Sequence, residues 1–321
     1  SKSFAAYLQN VLGLKKGDRL AIMMPNLLQY PVAVFGALRA GLIVVNVNPL
    51  YTPRELEHQL RDSGAKAILI FEGSAHVLQA VLDKIEMEHV IVTKIGDYLG
   101  AIKGSLTNFI FKFVKRGVKS YKISKMIGFK SMLHRPEPDF NETSISVDDL
   151  AFLQYTGATT GLSKGSMLSH GNIVANLDQL DALLAGVIND EGDDIFINAL
   201  PMYHIYSLAV IVLAGYTKGG LNVLITNPRD ITGFVREIKK WPFTIFNGVN
   251  TLYEALLNHP EINEVNFDAM KLSGTGGSAC RRSTAERWQK LTGKVLLEGY
   301  GLSETSPSVS ASPPQLLCLG Q

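Results

Sequence analysis

The sequence predicts an α/β protein in which two β-α layered subdomains each contain a doubly wound, mostly parallel sheet. Short apolar runs alternate with longer amphipathic segments through residues 18–93, and the same alternation returns beyond residue 148. Parallel strands need a helical crossover between them, so this order predicts successive β-α-β units. We therefore assign one subdomain to residues 1–147 and a second to residues 148–309, followed by a tail at residues 310–321.

The composition is that of an ordinary globular protein. The 321 residues include 31 Lys or Arg and 29 Asp or Glu, so the overall charge does not indicate a nucleic-acid-binding surface. Two cysteines, Cys280 and Cys318, cannot form a disulfide framework, which is typical of a reducing cytoplasm. The most apolar stretch, residues 30–47, contains Pro31 and Arg39, and we expect it to form a helix and a strand rather than a membrane span.

The first subdomain opens with regularly spaced strand and helix signals. Residues Thr52 to Glu55 form a capping box with proline at the first helical position, and Gly64 ends the helix that follows. Apolar runs predict the strands, and the periodic segments between them predict the helices. The predicted strands are Leu20–Met24, Leu42–Val47, Ala67–Phe71 and His89–Val92, and the predicted helices are Leu27–Ala40, Pro53–Gly64 and Ser74–Met87.

One segment of this subdomain is strongly basic, because residues 101–135 hold nine Lys or Arg and no Asp or Glu. On a helix continuing from Phe109, five basic residues fall within about 120° of arc, and aromatic and aliphatic residues occupy the rest. This pattern is typical of a helix on an anionic membrane surface, and equally of a helix that packs on its own protein with a solvated lysine face. The five residues are Lys112, Lys115, Arg116, Lys119 and Lys122.

A loop rich in glycine and threonine, residues 155–165, follows the apolar strand Ala151–Tyr155. Glycine turns, hydroxyl groups and the charge of Lys164 are features that bind a polyphosphate. Leu162 stands where a Walker loop has its second glycine, so a P-loop NTPase is not indicated. We interpret the segment as a phosphate-binding loop between a strand and the helix that begins at Asn172. A flexible polar turn is the alternative.

The second subdomain continues the alternation and carries two more polar loops, Leu272–Gly277 and Gly299–Glu304. Ligands of doubly wound sheets bind at the carboxyl ends of the strands, so we expect all three loops to serve one nucleotide. The predicted strands are Asp194–Leu200, Leu221–Thr226, Phe243–Phe246 and Lys294–Glu298, and the predicted helices are Asn172–Leu184, Ile205–Tyr216, Ile231–Lys240, Asn250–Asn258 and Arg282–Leu291.

A rival interpretation rests on residues 274–279, which match the dinucleotide-binding fingerprint with Glu298 further along the chain. It predicts an NAD-dependent oxidoreductase. However, the preceding segment, Asp268–Ser273, is a poor candidate for a buried strand, and such a fingerprint normally opens a domain. This reading also leaves the threonine-rich loop without a role.

Individual polar residues are less informative by themselves. His204 follows a predicted strand, where a lone histidine is most often structural. Glu304 ends a glycine-aromatic turn and is able to hold Mg²⁺, while Tyr300 can stack on a base and Ser303 can donate to a phosphate. An exposed loop acid is the alternative for Glu304. The histidines and cysteines show no zinc-ligand spacing.

Taken together, the three loops resemble those of the adenylate-forming superfamily, which includes acyl-CoA synthetases, acyl carrier protein-loading domains and luciferases. Closer likeness comes from residues 199–204, 224–230, 248–252 and 285–288, which resemble bacterial long-chain fatty acid-CoA ligases. The resemblance extends to about Val309. It implies that ATP and a fatty acid form an acyl adenylate, which then yields a thioester with coenzyme A.

The resemblance also implies roles for individual residues. His204, Lys164 and Glu304 are the expected catalytic residues, with Thr156 and Glu304 sharing Mg²⁺. The expected pyrophosphate loop comprises Thr156, Gly157, Thr159, Thr160, Gly161 and Lys164. The expected contacts to adenine and the α-phosphate are Gly276, Gly277, Glu298, Gly299, Tyr300 and Ser303. The expected acyl-site residues are Tyr203, His204, Gly248, Val249, Asn250 and Thr251.

The sequence departs from the family pattern at several places. Ala158 and Thr275 stand where glycine is common. The family's ribose-binding aspartate, hinge and mobile carboxyl-terminal domain with its catalytic lysine have no counterpart after Glu304. We therefore expect the C-terminal domain to be absent and the chain to be truncated, and a non-catalytic nucleotide- or lipid-binding remnant is an alternative function. The expected location is cytoplasmic, with peripheral contact to a membrane.

Overall fold

A computed structural model describes residues 1–133, 140–157, 162–188 and 192–313. The chain divides into two compact units, Ser1–Gly171 and Asn172–Gln321. The first unit is built around a seven-stranded sheet and the second around a six-stranded sheet. Helices pack against strands in both units, so the predicted α/β fold is confirmed.

The sheet of the first unit has the order β5-β4-β3-β1-β2-β6-β7. Every neighbouring pair is parallel except β6 and β7, which are antiparallel. From β1 the chain adds β2 on one side and then returns to add β3 on the other, which is the doubly wound connection. The strands are β1 Arg19–Met23, β2 Ile43–Val47, β3 Ala67–Phe71, β4 His89–Thr93, β5 Met126–Gly128, β6 Leu150–Thr156 and β7 Lys164–Ser169.

The helices of this unit are α1 Lys2–Asn10, α2 Gln29–Arg39, α3 Pro53–Ser63, α4 Ala75–Gln79, α5 Ala101–Phe109 and α6 Phe129–Leu133. The predicted capping box is confirmed at α3. The Thr52 hydroxyl accepts a hydrogen bond from the Glu55 backbone N–H, and the Glu55 carboxylate accepts one from the Thr52 N–H. Gly64 ends the helix at a φ of 60°, a conformation that favours glycine.

Two helix predictions in this unit are wrong in extent. The helix predicted at Ser74–Met87 is limited to α4, with a 3₁₀ turn on either side. The basic helix predicted to continue past residue 115 ends with a π-helical turn at Ile110–Val114. Arg116 then takes a φ of 51°, so Lys119 and Lys122 do not lie on that helix. Gly117 lies against the Phe111 ring, where a Cβ atom would approach to 2.2 Å.

The threonine-rich segment is the connection of a β-hairpin, because β7 pairs antiparallel with β6 from Leu150↔Ser169 to Thr156↔Lys164. The prediction that it joins a strand directly to a helix is therefore wrong. Strand β7 was missed since its six residues show no apolar run. Both strands belong to the sheet of the first unit, so that unit extends well beyond the boundary predicted at residue 147.

The sheet of the second unit has the order β13-β12-β11-β10-β8-β9. It is parallel except for β13, and it is doubly wound about β8. The strands are β8 Ile195–Asn198, β9 Leu221–Leu224, β10 Ile245–Gly248, β11 Leu272–Thr275, β12 Leu296–Gly301 and β13 Ser308–Ala311. The helices are α7 His170–Leu184, which begins at the end of the first unit, α8 Ala214–Thr217, α9 Ile231–Ile238, α10 Asn250–Leu257 and α11 Arg282–Thr292, with a π-helical segment at Ser207–Leu213 before α8.

An aromatic cluster fills the core of the second unit. Trp288 is fully buried, packs edge-on against Tyr253 at 4.7 Å between ring centroids, and donates its indole N–H to the Ser273 hydroxyl at 3.0 Å. The Tyr253 hydroxyl donates to the Gly274 carbonyl at 2.7 Å. These contacts tie α10 and α11 to β11. Consequently, the strand ends that carry candidate residues rest on a rigid core.

Among the residues that the structure describes, no helix is long and apolar enough to cross a membrane.

Candidate active site

The predicted phosphate loop is anchored by the last pair of the β6–β7 hairpin, Thr156 and Lys164. Thr156 is half-buried, whereas Gly157 and Lys164 are exposed. The middle of the predicted loop, which includes Thr159, Thr160 and Gly161, lies outside the described residues. The hairpin therefore holds the lysine and one threonine at matched positions on neighbouring strands, where both side chains are available to a ligand.

Helix α3 holds both arms of this hairpin. His58 Nε2 lies 2.8 Å from the Ser163 carbonyl oxygen on one arm, and the Tyr155 hydroxyl donates to Asp62 Oδ2 at 2.5 Å on the other. Burial and the adjacent Asp62 carboxylate raise the pKa of Tyr155. The Tyr155 ring lies over Gly165, where a Cβ atom would come within 2.9 Å of it. His58 and Asp62 were missed from the sequence, although their spacing of four places them on one face of a helix.

A series of hydrogen bonds between buried polar side chains also holds strand β6 in place. The Tyr30 hydroxyl donates to Asn46 Oδ1 at 2.6 Å, and Asn46 Nδ2 donates to Gln154 Oε1 at 3.0 Å. All three side chains are almost completely buried, and burial raises the pKa of Tyr30. Gln154 lies two residues before Thr156, so this network fixes the strand that leads into the phosphate loop.

In the second unit, candidate residues follow the carboxyl ends of β8, β10, β11 and β12. The chain winds in opposite directions from β8, which makes the crevice beside its carboxyl end the expected ligand position. Tyr203 and His204 follow β8, and Gly248 ends the adjacent β10. The geometry therefore brings the predicted acyl-site residues of two separate segments to one edge of the sheet.

His204 has the properties of a neutral hydrogen-bond donor. Its Nδ1 accepts a hydrogen bond from the Tyr206 backbone N–H at 3.3 Å, which leaves the ring proton of the neutral form on Nε2. The residue keeps exposed surface, but partial burial lowers the pKa of His204. Both effects oppose protonation, so the ring presents an Nε2–H group rather than a full positive charge.

Tyr206 connects three of these strand ends and was missed from the sequence. Its hydroxyl lies 3.5 Å from Asn247 Oδ1, at the limit of a hydrogen bond. A Cβ atom on Gly276 would come within 3.2 Å of the Tyr206 ring and within 3.1 Å of the Gly299 carbonyl oxygen. Gly276, one of the predicted adenine-site glycines, therefore borders the Tyr206 ring, and the need for glycine there follows from this contact.

The segment after β10 combines structural and accessible residues. Gly248 lies against Tyr253, whose ring would be 2.9 Å from an added Cβ atom. Asn250 is buried, and its Oδ1 accepts a hydrogen bond from the Arg281 backbone N–H at 2.9 Å. Val249 is partly buried and Thr251 is exposed. The Asn250 side chain thus holds the backbone at Arg281 through this hydrogen bond, whereas Thr251 presents its side chain to solvent.

A hydrogen bond joins the segment after β11 to strand β12. Gly277 has a φ of 76°, and the Glu298 carboxylate accepts a hydrogen bond from the Cys280 backbone N–H at 2.9 Å. Tyr300, predicted to lie in a turn, belongs to β12 and pairs with Ser310 of β13, which leaves its ring 60% exposed. The buried Thr275 hydroxyl has no hydrogen-bond partner among the described residues, which makes it a further polar group at this edge.

Ser303 and Glu304 lie on a short 3₁₀ turn, Ser303–Thr305. The Glu304 carboxylate is exposed and has no hydrogen-bond or ion-pair partner among the described residues. A free carboxylate and the Thr156 hydroxyl are the oxygen donors that Mg²⁺ prefers. No group of three or more His, Cys, Asp or Glu suited to a metal occurs in the described parts of the chain. Each donor taken by itself, the Glu304 carboxylate or the Thr156 hydroxyl, suits Mg²⁺, an ion that takes most of its ligands from phosphates and water.

The geometry does not favour the dinucleotide fingerprint. Gly274 lies inside strand β11, paired with Asn247 and Leu297 of the flanking strands, instead of in a strand-to-helix turn. A Cβ atom there would come within 2.3 Å of Asn247 Oδ1, so a side-chain contact explains this glycine. The expectation of a poor strand over Asp268–Ser273 is correct for its first four residues, which lie outside any strand, and wrong for Leu272 and Ser273, which open the fully buried strand β11.

Two doubly wound sheets with polar loops at their carboxyl ends define the fold of the amino-terminal domain of adenylate-forming enzymes. The family model described as AMP-binding enzyme matches residues 1–318, and the chain belongs to that family. The match continues past Val309, where the resemblance was expected to end, and it includes strand β13.

Known relatives support this assignment. The chain is 54% identical over 314 residues to a long-chain-fatty-acid–CoA ligase from Escherichia coli O157:H7, covering 98% of this chain and 56% of the relative. The chain thus spans about half the length of the curated relatives it matches. Among solved structures, a long-chain-fatty-acid-CoA ligase (FadD1) from Archaeoglobus fulgidus has a TM-score of 0.77 and 24% identity, covering 99% of this chain and 59% of that one. ATP-bound MatB from Rhodopseudomonas palustris has a TM-score of 0.74 and 24% identity, with 98% and 55% coverage. These two likenesses establish the fold.

Proposed function

We propose that this chain supplies the adenylation half of a long-chain fatty acid-CoA ligase, an acid-thiol ligase. The observation that carries the proposal is that the family match spans every candidate residue from Thr156 to Glu304. The 54% identity to a long-chain-fatty-acid–CoA ligase supports the acyl substrate class. The substrates are ATP, a fatty acid and coenzyme A.

The proposed contacts to ATP are of two kinds. The phosphate contacts come from the hairpin of the first unit, where Lys164 supplies positive charge and Thr156 a hydroxyl group. The adenine contacts come from the second unit, where Tyr300 offers an exposed ring for stacking. The proposed ATP-binding residues are Thr156, Gly157, Thr159, Thr160, Gly161, Lys164, Gly276, Gly277, Glu298, Gly299, Tyr300 and Ser303.

His204 orients the fatty acid carboxylate. A neutral Nε2–H group donates a hydrogen bond to a carboxylate oxygen without holding it in a tight ion pair, so the second oxygen stays nucleophilic. The acyl chain lies among Tyr203, Gly248, Val249, Asn250 and Thr251. Asn250 acts there by bracing Arg281, because its own side chain is buried.

The reaction proceeds by in-line displacement. A carboxylate oxygen attacks the α-phosphorus, the bond from this phosphorus to the bridging oxygen of the β-phosphate breaks, and pyrophosphate leaves with the electron pair. The protein contributes position and charge: the Lys164 ammonium group stabilises the charge that develops on the leaving phosphates, and Ser303 donates to an α-phosphate oxygen. Thr156 and Glu304 are the residues proposed to hold Mg²⁺, which when bound would supply further positive charge at the phosphates.

Thioester formation completes the proposed reaction. The thiol of coenzyme A replaces AMP at the acyl carbon, and the thiol proton is released. The chain matches 56% of the length of the relative from Escherichia coli O157:H7, and the proposed catalytic residues of this chain serve the adenylation step. Pyrophosphate release is therefore the appropriate test for this chain.

We also propose a cytoplasmic protein that contacts an anionic membrane surface through its basic segment. Lys112, Lys115, Arg116, Lys119 and Lys122 are all exposed. A cation close to an anionic surface contributes about 1 kcal/mol of binding free energy. A membrane is also where long-chain fatty acids partition, so this contact brings the protein to its proposed substrate.

The experiment measures pyrophosphate release from Mg-ATP with palmitate, and Mg-ATP binding by calorimetry, for the purified chain. Lys164→Ala and Glu304→Gln are the test variants. Lys290→Ala and Glu142→Gln are matched controls, because both residues are exposed and lie outside the proposed site. We expect palmitate-dependent release that the two test variants reduce by about tenfold or more, with the controls unchanged.

Other results have distinct meanings. ATP binding that Glu304→Gln weakens, without pyrophosphate release, supports a nucleotide-binding remnant and contradicts adenylation by this chain. Absence of ATP binding contradicts the proposal as a whole. Release that is independent of palmitate contradicts the acyl substrate class.

A further inference from the structure

Six large apolar side chains form an exposed stripe along α5 and the π-helical turn that continues it. At about 100° per residue, Ile102, Leu106 and Phe109 lie on one face of α5. The Phe109 ring contacts that of Phe113 at 5.0 Å between centroids, which extends the face into the π-helical turn. The apolar stripe comprises Ile102, Leu106, Phe109, Ile110, Phe113 and Val114, whose exposed fractions are 88, 58, 56, 39, 61 and 64%.

Contacts on the opposite face prevent this helix from turning the stripe inwards. Gly104 is buried against Gly96, so closely that a Cβ atom on Gly104 would lie 2.3 Å from the Gly96 carbonyl oxygen. The Asn108 side-chain oxygen accepts a hydrogen bond from the Gly96 N–H at 2.8 Å, and the Phe111 ring packs on that of Phe71 at 5.4 Å. The exposed stripe is therefore the outer face of a docked helix.

The surface around the stripe is basic. Residues 101–133 contain eight Lys or Arg and no Asp or Glu. Lys103 and Lys112 lie at the two sides of the stripe, and Lys115 and Arg116 follow its end. Lys112 has a partner, since its Nζ is 4.0 Å from Glu72, and it also lies 5.7 Å from the centre of the Phe113 ring. Within the described ranges, no other basic side chain of this segment has an ion-pair partner.

We propose that the apolar stripe inserts into the boundary between headgroups and acyl chains of an anionic phospholipid bilayer. Apolar side chains on one helix face, with cations at their edges, match a surface that is apolar below and negatively charged above. The stripe lies on a single convex helix rather than in a groove, so it lacks the concave shape that holds a peptide helix. The positive charge around the stripe and its convex shape therefore both favour an anionic bilayer over another protein.

This inference rests on the proposed function and changes how the membrane contact is made. A purely electrostatic contact through a long basic helix is not compatible with the structure, because the helix ends at Val114. Here the basic residues attract the protein to the surface, and the apolar stripe supplies the part of the binding energy that salt does not screen. The two contributions can be measured separately.

The first experiment is vesicle co-sedimentation of the purified chain without ATP or fatty acid. The vesicles are phosphatidylcholine alone, or phosphatidylcholine with about 30% phosphatidylserine. Leu106→Ser/Phe113→Ser tests the stripe. Leu50→Ser/Val174→Ser is the matched control, because these residues are 63 and 53% exposed in other regions. We expect the test variant to bind anionic vesicles about tenfold or more weakly than the wild type, and the control to bind equally well.

Two further variants separate charge from insertion. Lys115→Glu/Arg116→Glu is expected to weaken binding to anionic vesicles by about fivefold or more per residue and to leave binding to neutral vesicles unchanged. Phe109→Trp reports insertion directly, since its emission should shift to shorter wavelength and be quenched by brominated lipid. Val174→Trp, at an exposed position on α7, should show neither effect.

Several outcomes overturn the proposal. One is equal vesicle binding by the wild type and Leu106→Ser/Phe113→Ser, provided that circular dichroism shows both folded. Another is a lipid-free wild-type dimer that this variant converts to a monomer, which would assign the stripe to self-association. Because the assays contain no ATP, a negative result here is independent of pyrophosphate release, and loss of pyrophosphate release leaves vesicle binding intact.

Discussion

His58 Nε2 lies 2.8 Å from the carbonyl oxygen of Ser163, on the arm of the hairpin that leads to Lys164. A carbonyl oxygen only accepts hydrogen bonds, so the His58 ring donates from Nε2. One helical turn further along α3, Asp62 accepts a hydrogen bond from Tyr155 on the other arm. Helix α3 thus contacts both arms of the hairpin that carries the proposed phosphate loop.

His58→Leu should weaken Mg-ATP binding by about three- to tenfold, because the loss of one partly buried hydrogen bond frees the Ser163 arm. Calorimetric titration measures this effect. His58→Gln retains an amide N–H donor and should recover most of the affinity. Hydrogen exchange of Ser163 and Lys164 should rise in His58→Leu alone, and equal affinity in all three proteins would show that the contact does not position this arm.

Gly274→Ala should destabilise the protein by about 1–3 kcal/mol, because the new methyl group meets Asn247 Oδ1 at 2.3 Å. Urea unfolding measures the change in free energy. In the Asn247→Ala background the side-chain oxygen is absent, so Gly274→Ala should lower the free energy of unfolding by about 1 kcal/mol less than it does in the wild type. Strictly additive effects would locate the strain elsewhere.

Asn46→Leu should lower the free energy of unfolding by about 2 kcal/mol, because it removes two buried hydrogen bonds, to Tyr30 and Gln154. Tyr30→Phe should lower it by about half as much, since one of the two bonds remains. Asn141→Leu, at an exposed position, is the control and should have little effect. If Asn46→Leu matches this control, the network does not stabilise the first unit.

The stability of the wild type should fall more steeply at acidic pH than that of His204→Gln. Burial lowers the pKa of folded His204 below its value in the unfolded chain, about 6.5. Protonation then favours the unfolded state, so the penalty is absent above about pH 6.5 and grows as the pH falls towards the folded pKa. Melting temperatures of the two proteins are compared at about pH 7.5 and at about pH 5.5. The difference between the proteins at each pH removes the contribution of other titrating groups, such as His170, that both proteins contain. A constant difference would contradict the lowered pKa.

Local patterns predicted much of this fold. The apolar runs that became β1, β2, β3 and β4 were identified to within one or two residues, because a buried strand reveals itself by composition alone. The capping box at Thr52 and the glycine at Gly64 marked both ends of α3, since caps depend on residues adjacent in sequence. The dinucleotide fingerprint at Gly274 was also correctly disfavoured. The sequence argument did not include the close contact with Asn247, which explains this glycine in the structure.

Long-range contacts decided the features that no local pattern contained. Strand β7 is polar and exists because it pairs with β6, while Tyr206 became a neighbour of Gly276 only through the packing of separate segments. His58 and Asp62 were expected on α3 but not at the phosphate loop.

The basic segment shows most clearly what each level determines. Its periodicity predicted an amphipathic helix running on from Phe109, with cations beside apolar residues, because side-chain spacing sets which residues share a face. Only the tertiary structure decided that the helix ends at Val114 and that its apolar face points outwards. The close packing of Gly104 on Gly96 fixes that orientation, and a contact between residues on different elements leaves no periodic signal in the sequence.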